Sequence, residues 1–155
     1  MKKDQTSKKV HVEKSEDQPI ISRKRAIAYL RPGLWGDNPQ SQKQFIEWYC
    51  EENNIELTKE PFCDEAEYIT QLPVYESPGL NDALDYCKDK KNKVDTLIII
   101  NRDRLGNSTA EYLRCKIDFH NEGVEIVSAT NIQSIDDDME TICVMIVEHL
   151  FGKLV

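Results

Sequence analysis

Three arginines stand where apolar runs of this chain end. The first closes Ala26-Ile27-Ala28-Tyr29-Leu30 and is followed at once by Pro32-Gly33, so a strand-like run delivers Arg31 to an abrupt break. The other two flank Asp103 in Asn101-Arg102-Asp103-Arg104-Leu105-Gly106-Asn107-Ser108, directly after the most apolar run in the chain, Val94–Ile100. A guanidinium presents a planar fork of donors that matches phosphate and carboxylate oxygens, and a neighbouring carboxylate can orient it. Arginines held by buried strands could therefore clamp an oxyanion. The plainer reading is an arginine at the edge of a turn, solvated and idle, and the stretch around Arg31 alone leaves both open.

The rest of the chain supplies the elements that would position these groups. Residues 1–24 are nearly free of apolar side chains and without periodicity, which predicts a disordered basic and polar tail. A first strand is expected at Ala26–Leu30. A helix is expected from about Gln40 to Asn53, with Phe45, Ile46, Trp48 and Tyr49 as its apolar stripe. Ile55–Cys63 reads as a weaker strand interrupted by Pro61, and residues 64–78 as an acidic, irregular loop. Leu80, Ala83, Leu84 and Cys87 have the i, i+3, i+4, i+7 spacing of an amphipathic helix. Val94–Ile100 is the strongest strand, and its nearly continuous apolar run fits coverage on both faces. A helix over about 108–121, with Leu113 and Ile117 inward, is stopped by Gly123, and Val124–Ala129 forms a further strand. Asp136-Asp137-Asp138 opens a long last helix whose stripe includes Ile142, Ile146, Leu150 and Leu154. Strands alternating with helices imply an α/β three-layer sandwich on a mostly parallel sheet, with ligands at the carboxyl ends of its strands.

The chain has 155 residues, which predicts one folded domain over 25–155 after the tail. No apolar run approaches the roughly 20 residues that span a bilayer, and the start lacks a signal-peptide core, so the default expectation is a cytoplasmic protein without a membrane partner. Residues 1–25 carry eight Lys/Arg against four Asp/Glu, a net of +4 in a chain of net −8, so residues 26–155 carry −12. An acidic body disfavours tight duplex binding by this domain alone, because phosphate contacts need positive surface. Cys50, Cys63, Cys87, Cys115 and Cys143 form no CxxC pair and are odd in number, and His11, His120 and His149 are scattered. Neither a disulfide framework nor a metal site is expected, and Cys87, Cys115 and Cys143 read as buried thiols.

At its arginine-bearing segments the chain resembles the serine recombinases, the resolvases and DNA invertases. Tyr29-Leu30-Arg31-Pro32-Gly33 stands where the family has Tyr-x-Arg-Val-Ser, and Gln42 falls in register with a family glutamine. Ser77-Pro78-Gly79-Leu80 replaces Arg-Pro-Gly-Leu, and Asp103-Arg104-Leu105-Gly106-Asn107-Ser108 replaces Asp-Arg-Leu-Gly-Arg-Ser. The resemblance implies a resolvase-like fold over 25–155, with a flavodoxin-like strand order and the last helix corresponding to the family's dimerisation helix. It also implies a chemistry without cofactor or metal. A serine hydroxyl attacks a DNA phosphodiester, forms a phosphoserine and keeps the bond energy for rejoining, while arginines stabilise the transition state.

The departures decide the functional expectation. The nucleophile position is Gly33, and the arginines expected at Ser77 and Asn107 are missing; Arg31, Gln42, Asp103 and Arg104 remain as the remnant of a phosphate site. Loss of a catalytic nucleophile costs on the order of 10⁶ in rate in other enzymes. Neither Ser41, read as an exposed helix-cap residue, nor Ser22, nor Ser108 replaces it. The expected protein is a catalytically inactive recombinase-like domain of a mobile-element process, acting through dimerisation or regulation. Its partners would be a second copy or an active recombinase, with DNA binding weak through this domain. Three alternatives stay open: an active strand-transfer enzyme with an unusual nucleophile, an anion- or nucleotide-binding module, and a purely structural arginine cluster that braces its loops.

Overall fold

A computed structural model of the chain describes residues 22–33, 38–65, 72–106, 108–130 and 146. Its elements are β1 (Lys24–Leu30), α1 (Pro39–Glu52), β2 (Ile55–Leu57), β3 (Phe62–Cys63), α2 (Pro78–Lys88), β4 (Thr96–Ile99), α3 (Thr109–Asn121) and β5 (Glu125–Ser128), with 3₁₀ turns at 74–76, 90–92 and 102–105. All strand pairings are parallel and the order is β2-β1-β4-β5. Tyr29 and Leu30 pair with β3, while Lys24 to Ala26 pair with β2. One predicted strand over 55–63 is therefore two pieces. Pro61 lacks the N–H a ladder needs, so the pairing lapses before Phe62.

Alternation along β1 sorts its side chains to two layers. Ile27 and Tyr29 join Leu97 and Ile99 of β4 in a core covered by α2 and α3. Ala26, Ala28 and Leu30 join Ile98 beneath Ile46 and Cys50 of α1. The two alanines leave room for α1 to sit low on its side of the sheet. Helices cover both faces of a mostly parallel sheet, so the α/β architecture is as the sequence implied, and β4 is buried along its whole length.

Two helix faces differ from the expectation. The buried positions of α1 are Gln42, Ile46 and Cys50, spaced by four, with Tyr49 partly buried beside them. Phe45 and Trp48, expected inward, are 37% and 54% exposed. Counting aromatics as core misplaced the stripe, because the polar Gln42 occupies the inner row. In α3 the buried face is Tyr112, Cys115, Ile117 and Phe119, and Leu113 is only half-buried. Lys24, assigned to the tail, opens β1. Residues 1–21, most of the predicted tail, lie outside the described residues. So does the last helix with Ile142, Leu150, Leu154 and Cys143, except Ile146, which is helical and 51% exposed. No helix among the described residues is long and apolar enough to cross a membrane.

Truncating Leu97, fully buried in the central β4, tests this core. Leu97→Ala is expected to cost about 2–5 kcal/mol. The urea midpoint should fall with little change in slope.

Candidate phosphate site at the carboxyl ends of β1 and β4

β2 lies on one side of β1 and β4 on the other, so successive connections leave β1 in opposite directions. Sheets of this kind open a crevice at that switch point, outside the carboxyl ends of the strands. The break after β1 and the 3₁₀ turn after β4 both end there, which brings Arg31 and Arg104 together from positions 73 residues apart.

The main-chain carbonyl of Arg31 is the meeting point. It accepts a hydrogen bond from Gln42 Nε2 at 2.9 Å and another from Arg104 Nη1 at 3.2 Å. Gln42 reaches it from the inner row of α1, and Arg104 from the turn after β4; both are buried. The Arg31 side chain is only 7% exposed, and its Nη1 donates to Ser77 Oγ at 2.8 Å. Ser77 is fully buried at the start of α2. Among the described residues no carboxylate lies within ion-pair distance of Arg31. Its Nη1 partner is thus a neutral hydroxyl, and its charge also lies beside the Tyr29 hydroxyl. Gln42 Oε1 is also buried, with no hydrogen-bond partner among the described residues.

A second polar cluster, missed in the sequence, adjoins the first. Asp64 follows β3 and is almost fully buried. Tyr29 Oη donates to Asp64 Oδ2, and the Gly79 N–H donates to Asp64 Oδ1 at 2.7 Å. A carboxylate from another strand thus caps the first turn of α2, where the helix dipole favours negative charge. Ser77, the N-cap residue by position, gives its hydroxyl to Arg31 instead. Gly79 is required by the close approach: a Cβ there would stand 2.8 Å from both Asp64 Oδ1 and the Cys63 carbonyl oxygen. Burial, reinforced by the bond to Asp64, pushes the Tyr29 hydroxyl pKa well above its ordinary value, while the neighbouring Arg31 charge pulls the other way. The signal available in the sequence was an aspartate directly after a strand end, the same pattern that drew attention to Arg31.

The remaining site residues divide. Gly33 is half-buried two residues beyond the Arg31 carbonyl. Asp103 is exposed in the 3₁₀ turn after β4, between Arg102 and Arg104. Arg102 stacks on the Tyr112 ring at 4.5 Å, toward α3. Asn107 lies outside the described residues. The cap of α1 is Asn38, whose side chain accepts from the Gln40 N–H; Ser41 is exposed in the first turn. Ser108 caps α3 by accepting from the Glu111 N–H at 3.2 Å.

A family model described as "Resolvase, N terminal domain" matches residues 26–151. The chain belongs to the resolvase family. No curated protein sequence matches it. Solved structures with the same fold include a resolvase family site-specific recombinase from Streptococcus pneumoniae, at 16% identity and TM-score 0.63, covering 83% of this chain and 87% of that one. The N-terminal catalytic domain of TP901-1 integrase aligns at 18% identity and TM-score 0.62, covering 82% of this chain and 93% of that one. The C-terminal catalytic domain of ISC1926 TnpA, an IS607-like serine recombinase, aligns at 18% identity and TM-score 0.56, covering 83% and 86%. At these identities the likeness establishes the resolvase fold and no more.

Two substitutions test the Asp64 cluster. Tyr29→Phe strips a buried carboxylate oxygen of its donor and is expected to cost about 1–3 kcal/mol. Gly79→Ala, which forces Asp64 or the Cys63 backbone to move, should cost a similar ~1–3 kcal/mol. Thermal unfolding of both variants checks this. Stability should also fall as the solution is made alkaline. Burial pushes the Cys50 and Cys87 thiols up to about 11 and Cys115 up to about 12, from an ordinary 9.0, and raises Tyr29 from 10.0. Between those values the unfolded chain has lost protons that the folded chain keeps, so stability declines from pH 9 upward. In Tyr29→Phe the part of the decline beginning near pH 10 should be absent, as urea titrations across that range would show.

Proposed function

We propose that this resolvase-family chain takes part in DNA recombination without performing strand transfer, acting through self-association or by pairing with an active recombinase. The observation that carries the reading is the Arg31–Ser77 bond at 2.8 Å. It lies at the edge of a site whose nucleophile position, Gly33, has no side chain. Where the family places a second arginine this chain has a hydroxyl, and that hydroxyl occupies a donor of the first. Gln42 Nε2 and Arg104 Nη1 each donate to the Arg31 carbonyl. What persists is the scaffolding of a phosphate site, with a hydroxyl-free residue at its centre.

The chemistry explains why these losses go together. Attack on a phosphodiester concentrates negative charge on the phosphorus oxygens, and preorganised guanidinium donors lower that barrier. Without the serine there is no covalent intermediate to stabilise. With arginines absent at Ser77 and Asn107, a restored serine would face an under-held phosphate.

The test uses nicked suicide duplexes drawn from a random-sequence pool, which trap any phosphoserine as a detergent-resistant adduct. None is expected from the wild type, where a nucleophile loss of about 10⁶ is compounded by the missing arginines, nor from Gly33→Ser, where those arginines are still missing. An adduct formed by the wild-type chain overturns the reading. Self-association is tested separately. Ile146 is helical and half-exposed, so Ile146→Asp should weaken a dimer about tenfold or more, a loss of ~1.4 kcal/mol. A wild-type chain that sediments as a monomer at high concentration removes the dimer.

A further inference from the structure

We propose that the basic segment Lys8-Lys9-Val10-His11-Val12-Glu13-Lys14 of this chain docks on the outer face of α1, as a tethered cover over Phe45 and Trp48. The proposal goes beyond the recombination role and does not depend on it.

The surface comes first. Ser41, Gln44, Phe45, Trp48, Glu51 and Glu52 are all exposed on α1, and their three- and four-residue spacings place them together. Phe45 and Trp48 pack their rings with centroids 5.4 Å apart, forming one apolar patch rather than two isolated side chains. Below the patch the helix ends in Glu51 and Glu52, with no basic residue in its last turn. Carboxylates at a carboxyl terminus oppose the helix dipole, which calls for cations there. Among the described residues, Lys43 pairs with Glu47 and Glu60, Arg25 with Glu56, and Lys24 with Glu125. The patch therefore calls for a partner that brings apolar side chains and positive charge together.

This chain carries such a segment, and its topology delivers it to the right end of the sheet. Lys24, at the start of β1, pairs with Ile55 of β2, and Ile55 follows the end of α1 by three residues. The amino-terminal segment thus leaves the domain beside Glu51 and Glu52. Residues 15–23, extended, span up to about 30 Å. The whole of α1 is about 21 Å long at 1.5 Å per residue. In Lys8–Lys14, Val10 and Val12 fall on one side of an extended chain to meet the rings, and three lysines flank them for Glu51 and Glu52. A tether of this length gives an effective concentration on the order of millimolar, so a docking constant of about a millimolar, which a free peptide matches only when added at about millimolar concentration or above, suffices here.

The experiment uses the full chain. Zero-length carbodiimide coupling read by mass spectrometry should join Lys8, Lys9 or Lys14 to Glu51 or Glu52, and isotope-mixed samples should show the links within one chain. Hydroxyl-radical oxidation of Trp48 should rise about twofold or more in Lys8→Glu/Lys9→Glu/Lys14→Glu, the change expected when a half-occupied cover is lost. A synthetic peptide of residues 1–21, added to that variant, should restore protection saturably, which shows that the variant's α1 face is intact. Unchanged Trp48 oxidation overturns the proposal. Links found only between chains overturn it in favour of a second copy as the occupant.

Discussion

The carbonyl oxygen of Arg31 accepts from two elements that are otherwise far apart, and the site depends on that convergence. Gln42 brings α1 to it and Arg104 brings the turn after β4. Both donors are buried, so neither bond competes freely with water, and losing one partner would strand the other in a dry place. The position of the Arg31 guanidinium follows from the main chain being pinned at this point. Its contact with Ser77 then ties α2 to the same knot. Two helices and a turn are thus registered against one residue, two of them through its carbonyl and the third through its side chain.

This arrangement gives Gln42 and Arg104 a structural use that does not depend on any chemistry at the site. Their contacts with the Arg31 carbonyl hold the break after β1, and a change to either would leave a buried acceptor underserved. Asp103, next to Arg104 in the motif, sits exposed in the same turn.

The main strands were legible because buried parallel strands leave apolar runs that little else imitates, as in Thr96–Ile99, while the strand order came with the family resemblance. The meeting of Arg31 with Arg104 was legible as well, since both follow strands whose carboxyl ends share one edge. What stayed hidden depended on partners distant in sequence. Nothing near Asp64 announces that it will cap α2 through Gly79 or accept from Tyr29. Ser77 read as an absence, an arginine lost, whereas its hydroxyl holds Arg31. The face of α1 was misread for a different reason: hydrophobicity marked Phe45 and Trp48 as core, but the polar Gln42 was needed inside to reach the Arg31 carbonyl.

The central position of β1 has a kinetic consequence. It precedes the other described strands in the chain, yet its partners on one side come only with β4, and a contact at its carboxyl end waits for Arg104, 73 residues later. Closing a loop of that length must precede the reward from pairing, which slows folding relative to local hairpins. Until β4 arrives, β1 offers an open hydrogen-bonding edge and the bare faces of Ile27 and Tyr29. The period between those two events on the ribosome is when this chain is most prone to pair wrongly.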